Sequence, residues 1–183
     1  MHMKLIVAAD KNWGIGYQNR LLVSLADDMK RFKRLTERDV VIYGRKTLDS
    51  FPGGRPLPGR DNLILSHDRS LRVPGAVVCR NLNELGEKLQ RLPDLPHWVI
   101  GGESVYRQLM PYCRKAYVTQ VDQAFKADAF FPDLNQEQGW DLVHEEPWQT
   151  AINRLSPEKE TVRFRYLHYQ QLLSISKIHL NPK

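Results

Sequence analysis

The 183-residue chain is 42% hydrophobic and 26% charged, values typical of one globular domain that buries about 70% of its unfolded surface. No apolar run nears the roughly 20 residues that cross a bilayer, no signal-peptide pattern is present, and only two cysteines occur, so we expect a cytoplasmic protein without a membrane segment or disulfide framework. Six scattered histidines predict no metal site, and the net charge of +6 points to anionic ligands, although no basic–aromatic run typical of nucleic-acid binding is present.

Short apolar runs predict buried strands, and they alternate with helical or loop segments. The predicted strands are Lys4–Ala9, Val40–Tyr43, Asn62–Ser66, Ala76–Cys79, Trp98–Ile100, Tyr117–Val121 and Val162–Tyr169. The predicted helices are Leu25–Leu35, a short segment after Thr47, Leu82–Leu92 and about Ser104–Met110. This alternation predicts an α/β domain with a mostly parallel sheet and an antiparallel edge formed by the last strands. We expect the domain to span residues 1–170, followed by a tail over 171–183.

The first predicted helix carries an acid inside its apolar stripe. With about 100° per residue and Asp28 at zero, Phe32 falls near 40° and Leu35 near −20°. Asp27 lies about 100° away, outside the stripe, where it can cap the helix or pair with Arg31. A carboxylate on a core-facing helix is costly to ionise unless a cation or a hydrogen-bond donor meets it. Asp28 is therefore either a helix cap or ion-pair partner, or a ligand-binding or catalytic acid.

Two strand-to-helix turns carry glycine. The segment Ile100–Tyr106 contains a Gly-Gly pair, and Gly44–Thr47 contains two adjacent cations, Arg45 and Lys46. Glycine lets the backbone approach a ligand closely, and a helix start offers free N–H groups to a phosphate. Taken alone, a glycine turn before a helix has a purely structural role at least as often as it binds a ligand. Together they favour an extended dinucleotide.

Several short motifs follow one another in an order that a known family shares. They are Trp13–Gly16, Asp28–Lys33, Gly44–Thr47, Arg55–Arg60, Asn62–Ser66, Ile100–Gly102, Tyr117–Thr119 and Asp128–Pro132. From Leu5 to about Tyr169 the chain thereby resembles the dihydrofolate reductases. The resemblance implies the single-domain, three-layer fold of that family, with helices on both faces of the sheet.

The resemblance also implies an activity. Such a protein reduces 7,8-dihydrofolate to 5,6,7,8-tetrahydrofolate by hydride transfer from NADPH, which supports one-carbon and thymidylate metabolism. It implies antifolate inhibitors, a monomer, and no nucleic-acid or membrane partner. Two alternatives stay open: a reductase of the same fold acting on a pyrimidine of the riboflavin pathway, and a basic nucleic-acid-binding module. Consumption of NADPH with dihydrofolate would separate these alternatives from the first interpretation.

By the same resemblance, Asp28 is the active-site carboxylate that binds the pterin and promotes protonation of its N5. Thr119 is expected to orient Asp28 through a hydrogen bond. Arg60, helped by Arg55, is expected to bind the α-carboxylate of the glutamate tail. The apolar wall of the substrate site is expected to comprise Ile6, Phe32, Leu57 and Ile100.

The cofactor is expected to lie across the two glycine turns, with a cis peptide between Gly101 and Gly102. Backbone contacts to the pyrophosphate are assigned to Gly101, Gly102, Glu103, Ser104 and Val105. The nicotinamide end is assigned to Tyr106, Ala8, Ile15 and Gly16, and Gly14–Leu21 is expected to be a mobile loop over it. The adenosine end is assigned to Gly44, Arg45, Lys46, Thr47, Leu65, Ser66, His67 and Arg80.

One segment departs from the family pattern. The family often has Leu-Pro-Trp before the first helix, where the Trp orders a water at the pterin. This chain has Val23 in the Trp position and Ala26 where Pro is usual. We expect a wider and less ordered pterin edge, because Val is smaller and has no N–H donor.

Overall fold

The structure, a computed structural model, describes residues 3–92 and 94–172. Its helices are α1 (Ala26–Thr36), α2 (Arg45–Ser50), α3 (Leu82–Gln90) and α4 (Glu103–Leu109). Its strands are β1 (Met3–Ala9), β2 (Gly14–Tyr17), β3 (Arg20–Leu21), β4 (Val40–Gly44), β5 (Asp61–Leu65), β6 (Val77–Cys79), β7 (His97–Gly101), β8 (Cys113–Val121), β9 (Ala129–Phe130), β10 (Trp140–Glu145), β11 (Gln149–Ile152) and β12 (Thr161–Gln171). Of the tail predicted over 171–183, residues 173–183 lie outside the described residues, and Gln171 belongs to β12.

Nine strands form the main sheet, in the order β10, β12, β8, β1, β7, β4, β5, β6, with β11 paired to β12. The six strands from β8 to β6 in this order are parallel. Strand β12 joins β8 in the antiparallel sense, and β10 and β11 pair with β12 in the same way. The expected parallel sheet with an antiparallel C-terminal edge is therefore confirmed.

Helices cover both faces of this sheet because successive residues of a strand point to opposite sides. On one face Leu5 of β1 packs with Leu89 of α3 and Leu109 of α4. On the other face Ile6 packs with Phe32 of α1. The three-layer arrangement is confirmed, and it places α1 over the face of β1 that carries Ile6.

The ends of the predicted elements differ from the structure by a few residues, and five strands were not predicted. Helix α2 begins at Arg45, directly after β4, rather than after Thr47. The expected loop over Gly14–Leu21 is largely a hairpin of β2 and β3, which pairs with β9 in a small second sheet. Its two-residue turn has Gln18 (φ 48°) and Asn19 (φ 61°) in the left-handed region. Strand β10 is exposed along nearly its whole length, so it has no alternating pattern.

Three further findings bear on the kind of site to look for. In the described part of the chain, no helix combines the length and hydrophobicity needed to span a bilayer. Within residues 3–92 and 94–172, no group of three or more His, Cys, Asp or Glu side chains is placed to hold a metal ion. Both cysteines are buried and unpaired, and burial raises the pKa of the Cys79 thiol to about 11.

Candidate active site

Asp28 lies on the buried side of α1, as the helical-face argument predicts. Its exposed fraction is 8%, and its Oδ1 accepts a hydrogen bond of 2.5 Å from Thr119 Oγ1 on β8. Asp27 is exposed and pairs with Lys30 at 3.2 Å, so the expected pairing with Arg31 is wrong. Arg31 is turned to the buried side of the helix instead. The residue that precedes α1 is Leu25, so neither acid is the N-cap.

The electrostatic setting of Asp28 combines burial with two opposing contacts. Burial raises the pKa of the Asp28 carboxyl, whereas the Thr119 hydrogen bond and the positive charge of Arg31 lower it. Among the described residues, Thr119 is the one side-chain donor to Asp28. The second oxygen, Oδ2, therefore remains available to accept hydrogen bonds from a ligand.

The four residues predicted to form an apolar wall are brought together by the fold. Ile6 of β1 and its neighbours Phe32, Leu57 and Ile100 belong to one hydrophobic cluster on the α1 face of the sheet. Ile6 is buried, while Phe32, Leu57 and Ile100 are each partly exposed. A partly exposed apolar wall beside a buried carboxylate suits a flat ligand that has one polar edge.

Arg60 lies next to this wall in a loop that Asn62 holds in place. Asn62 Oδ1 accepts from the backbone N–H of Leu57 at 3.0 Å, and its Nδ2 donates to the carbonyls of Leu57 and Arg60. The Arg60 guanidinium lies 5.8 Å from the centre of the Phe32 ring. Arg55 is exposed, and within residues 3–92 and 94–172 it has no hydrogen bond or ion pair that ties it to the site. The fold therefore places Arg60 beside Phe32 of the apolar wall.

The two glycine turns lie side by side at the carboxyl ends of the adjacent strands β4 and β7. A Cβ on Gly101 (φ 134°) would lie 3.1 Å from Thr47 Oγ1, and one on Gly44 would lie 3.2 Å from Val105 Cγ2. The peptide between Gly101 and Gly102 is cis, as expected. These glycines let the two turns pack closely against each other, so that the starts of α2 and α4 lie together at one edge of the sheet. The residues present therefore fit a nucleotide that crosses the carboxyl edge of the sheet.

Other residues assigned to the cofactor follow the neighbouring strands β5 and β6, and several of their side chains make hydrogen bonds or ion pairs within the protein. Ser66 and His67 follow β5, and Arg80 follows β6. Arg80 donates to the backbone carbonyls of Asp68 at 2.6 Å and Leu71 at 3.0 Å, so it orders the loop between these strands. Two other assigned side chains make ion pairs within their own helices: Arg45 with Asp49 at 2.7 Å, and Glu103 with Arg107 at 3.3 Å.

Tyr106 connects the second glycine turn to the strand beneath the substrate wall. It is 3% exposed, and its hydroxyl donates to the backbone carbonyl of Ile6 at 2.7 Å. Burial holds the pKa of Tyr106 far above its ordinary value, so this donor stays protonated. On the hairpin, a Cβ on Gly16 would lie 3.1 Å from the carbonyl oxygen of Arg20, so glycine allows the two strands to approach closely.

A second buried polar side chain of α1, Arg31, was not predicted from the sequence. Arg31 is 8% exposed, and its Nη2 donates to His168 Nε2 of β12 at 2.9 Å. Its guanidinium lies 4.0 Å above the ring of Tyr166 on the same strand. The helical wheel offered a signal, because Arg31 falls only about 60° from Asp28. Its partners on β12 had no such local signal.

The fold and these clefts define the class of α/β proteins whose ligands bind beyond the carboxyl ends of a parallel sheet. The family model described as dihydrofolate reductase matches residues 2–171, and the chain belongs to the dihydrofolate reductase family. A dihydrofolate reductase of Aedes albopictus is 36% identical over 73% of this chain and 80% of its own. One of Staphylococcus aureus is 29% identical over 92% of this chain and 97% of its own. A solved dihydrofolate reductase from Enterococcus faecalis, complexed with NADP(H) and RAB-propyl, has a TM-score of 0.73 at 27% identity, covering 93% of this chain and 96% of that one.

Proposed function

We propose that Asp28 is the active-site carboxylate with which this enzyme reduces 7,8-dihydrofolate to 5,6,7,8-tetrahydrofolate. The overall reaction, with NADPH as reductant, is that of the family. The observation that supports the role of Asp28 is its place: it is a buried carboxylate beside a partly exposed apolar wall, and its second oxygen is unused.

Asp28 binds the polar edge of the pterin in this proposal. Its carboxylate accepts hydrogen bonds from the 2-amino group and from the N3 side of the ring, while Thr119 holds it in orientation. The negative charge favours the protonated form of N5 through the ring. The apolar wall formed by Ile6, Phe32, Leu57 and Ile100 packs against the pterin and benzoyl rings. Arg60, beside Phe32, binds the α-carboxylate of the glutamate tail, with Arg55 at the outer end.

The chain holds the cofactor along the two glycine turns. When bound, NADPH supplies the hydride that pterin C6 accepts. The turn Gly101–Val105 binds the pyrophosphate through its backbone, and Gly44–Thr47 binds the adenosine phosphates, together with Ser66 and His67. Tyr106 and the hairpin residues Ile15 and Gly16 enclose the nicotinamide end with Ala8 and exclude water there. Leu65 and Arg80 line the adenosine side.

The setting of the enzyme is part of the same proposal. In this proposal the enzyme is a monomer. The two unpaired cysteines suit a reducing cytoplasm. Antifolates that present a protonated diaminopyrimidine edge to Asp28 would inhibit the enzyme, and its product would support one-carbon and thymidylate metabolism.

The experiment follows NADPH consumption and tetrahydrofolate formation by the purified protein. We expect one NADPH oxidised for each tetrahydrofolate formed, no oxidation without dihydrofolate, and none with the riboflavin-pathway pyrimidine in its place. Asp28→Asn keeps the shape of the side chain and removes its charge, so it should lose activity by about a hundredfold or more near neutral pH. Full activity of that variant would refute the assignment of Asp28.

A further inference from the structure

Arg31 is a buried cation whose presence the packing of α1 does not require. Its Nη1 is buried without a hydrogen-bond partner among the described residues, and its Nη2 has only a histidine nitrogen as acceptor. A buried charge with incomplete hydrogen bonding is costly to the fold. An apolar side chain at this position of α1 would avoid that cost. The cost therefore suggests that the charge serves the site.

The contact with His168 defines the protonation state of the histidine. A guanidinium can only donate hydrogen bonds, so His168 Nε2 must accept, and the imidazole is neutral with its proton on Nδ1. Burial lowers the pKa of His168, and the charges of Arg31 and His144 lower it further. The His168 ring also packs against Tyr117 of β8, with 4.7 Å between ring centres. A neutral, packed histidine thus holds the guanidinium in place between α1 and β12.

The charged groups around this pair come from every element packed against it. Four groups partly oppose the lowering of the Arg31 pKa by burial. They are the carboxylates of Asp28 and Glu146 and the hydroxyl groups of Tyr166 and Tyr117. His144 and Lys115 also lower the pKa of His168, whereas the carboxylate of Glu146 raises it. Of the two carboxylates, Asp28 interacts with Arg31 more strongly than Glu146 does. Asp28 and Arg31 lie one turn apart on the buried side of α1, and in the described part of the chain they form no direct ion pair.

We propose that Arg31, held in place by His168, is a positioning residue that stabilises the ionised form of Asp28 and thereby limits the pH range of the reaction. The inference rests on the proposed role of Asp28. Asp28 and the bound pterin share one proton, and they titrate as a pair. A nearby cation disfavours proton binding to that pair, whichever member carries the proton. Removal of Arg31 should therefore let the pair keep its proton to higher pH.

The test measures the rate of hydride transfer in single turnovers across the acid and alkaline range. For Arg31→Met we expect the midpoint of the alkaline limb to move upward by about one pH unit, which is about tenfold in rate on that limb. Arg31→Lys keeps the charge and should keep the midpoint of the wild type. Arg34→Met removes an exposed arginine one turn further along α1 and should leave both rate and midpoint unchanged.

Two variants of His168 test how Arg31 is held. His168→Gln keeps an acceptor for the guanidinium, so its midpoint should match the wild type. His168→Phe keeps a ring against Tyr117 but has no acceptor, so its midpoint should move part of the way toward that of Arg31→Met.

The outcomes separate this inference from the function on which it rests. If Arg31→Met loses stability or rate but keeps the midpoint of the wild type, Arg31 is only structural and the inference is refuted. If Arg31→Met does not fold, an unchanged midpoint in His168→Phe refutes it equally. If Asp28→Asn is fully active, the assignment of Asp28 fails, and the inference fails for that separate reason.

Discussion

Arg60 offers a prediction whose size follows from its hydrogen bonds. Its Nε and Nη2 donate to Thr36 Oγ1 at 3.2 and 3.1 Å, and its Nη1 donates to the carbonyl of Pro58 at 2.8 Å. A guanidinium has five N–H groups, so two remain. One of these lies 3.4 Å from the carbonyl of Lys33, a contact weak enough to be exchanged. The fold therefore leaves two N–H groups for the two oxygens of a carboxylate.

The loss of these two bonds sets the expected effect of Arg60→Ala. Because Arg60 is partly exposed, each charge-assisted bond is taken at the low end of its range, about 1.5 kcal/mol. Two bonds give about 3 kcal/mol, which corresponds to roughly a hundredfold loss of kcat/KM. The glutamate tail is remote from the reacting ring, so the loss should fall on KM rather than on kcat.

The assay compares dihydrofolate with a dihydropterin that lacks the aminobenzoylglutamate tail. With the tailless substrate, wild type and Arg60→Ala should have the same kcat/KM within about twofold, because the interaction is absent in both. Arg60→Lys keeps the charge but not the planar guanidinium, so its kcat/KM with dihydrofolate should lie between those of the wild type and Arg60→Ala. An equal loss with both substrates would refute the reasoning, since Arg60 would then act only by supporting the loop from Leu57 to Arg60.

Three further predictions follow from the site. Because burial raises the pKa of Asp28, the folded state binds its proton more tightly than the unfolded state; this contribution to stability is present at low pH and is lost as the pH rises through the folded pKa. Asp28→Asn should therefore have a higher Tm than the wild type at neutral pH, with the difference vanishing in acid; a lower Tm at neutral pH would contradict this. NADPH should be preferred over NADH about tenfold to a hundredfold in kcat/KM. Arg45→Ala should reduce this preference, whereas Asp49→Asn, which removes the ion-pair partner of Arg45, should increase it. Equal use of both cofactors by the wild type would exclude a phosphate contact at Arg45. Val23 is only 6% exposed, so Val23→Trp should cost about 1–3 kcal/mol of stability by overpacking and change KM or the pH profile without abolishing turnover; unchanged kinetics would place Val23 away from the pterin.

Local periodicity was sufficient to predict the core of the fold and the buried acid of α1. The apolar runs identified β1, β4, β5 and β7, since strands buried on both faces carry continuous hydrophobic sequence, and they also identified the edge strand β6. The 3.6-residue period identified α1 and separated buried Asp28 from exposed Asp27, because one residue rotates a side chain by about 100°. The partnership of Thr119 with Asp28 came from the family resemblance, and the structure contains that hydrogen bond.

Features that lack an apolar run, or that depend on contacts distant in sequence, were not predicted. The hairpin of β2 and β3 has glycines and a two-residue turn rather than an apolar run, and β10 is exposed. Arg31 was interpreted as a surface partner of Asp27, because an i,i+4 pair is visible in sequence whereas His168 is 137 residues away. The alternation along β12 does place Tyr166 and His168 on one face. It cannot show which helix covers that face.

The pH dependence of hydride transfer in the two neighbouring asparagine variants tests the assignment of Asp28 most directly. Single turnovers with NADPH and dihydrofolate report the chemical step without product release. We predict that Asp28→Asn loses most of the rate near neutral pH and recovers part of it in acid, where solvent can protonate the substrate, while Asp27→Asn stays within about a few-fold of the wild type. If Asp27→Asn were the inactive variant, or if Asp28→Asn transferred hydride at the rate of the wild type at neutral pH, the assignment of Asp28 would be wrong.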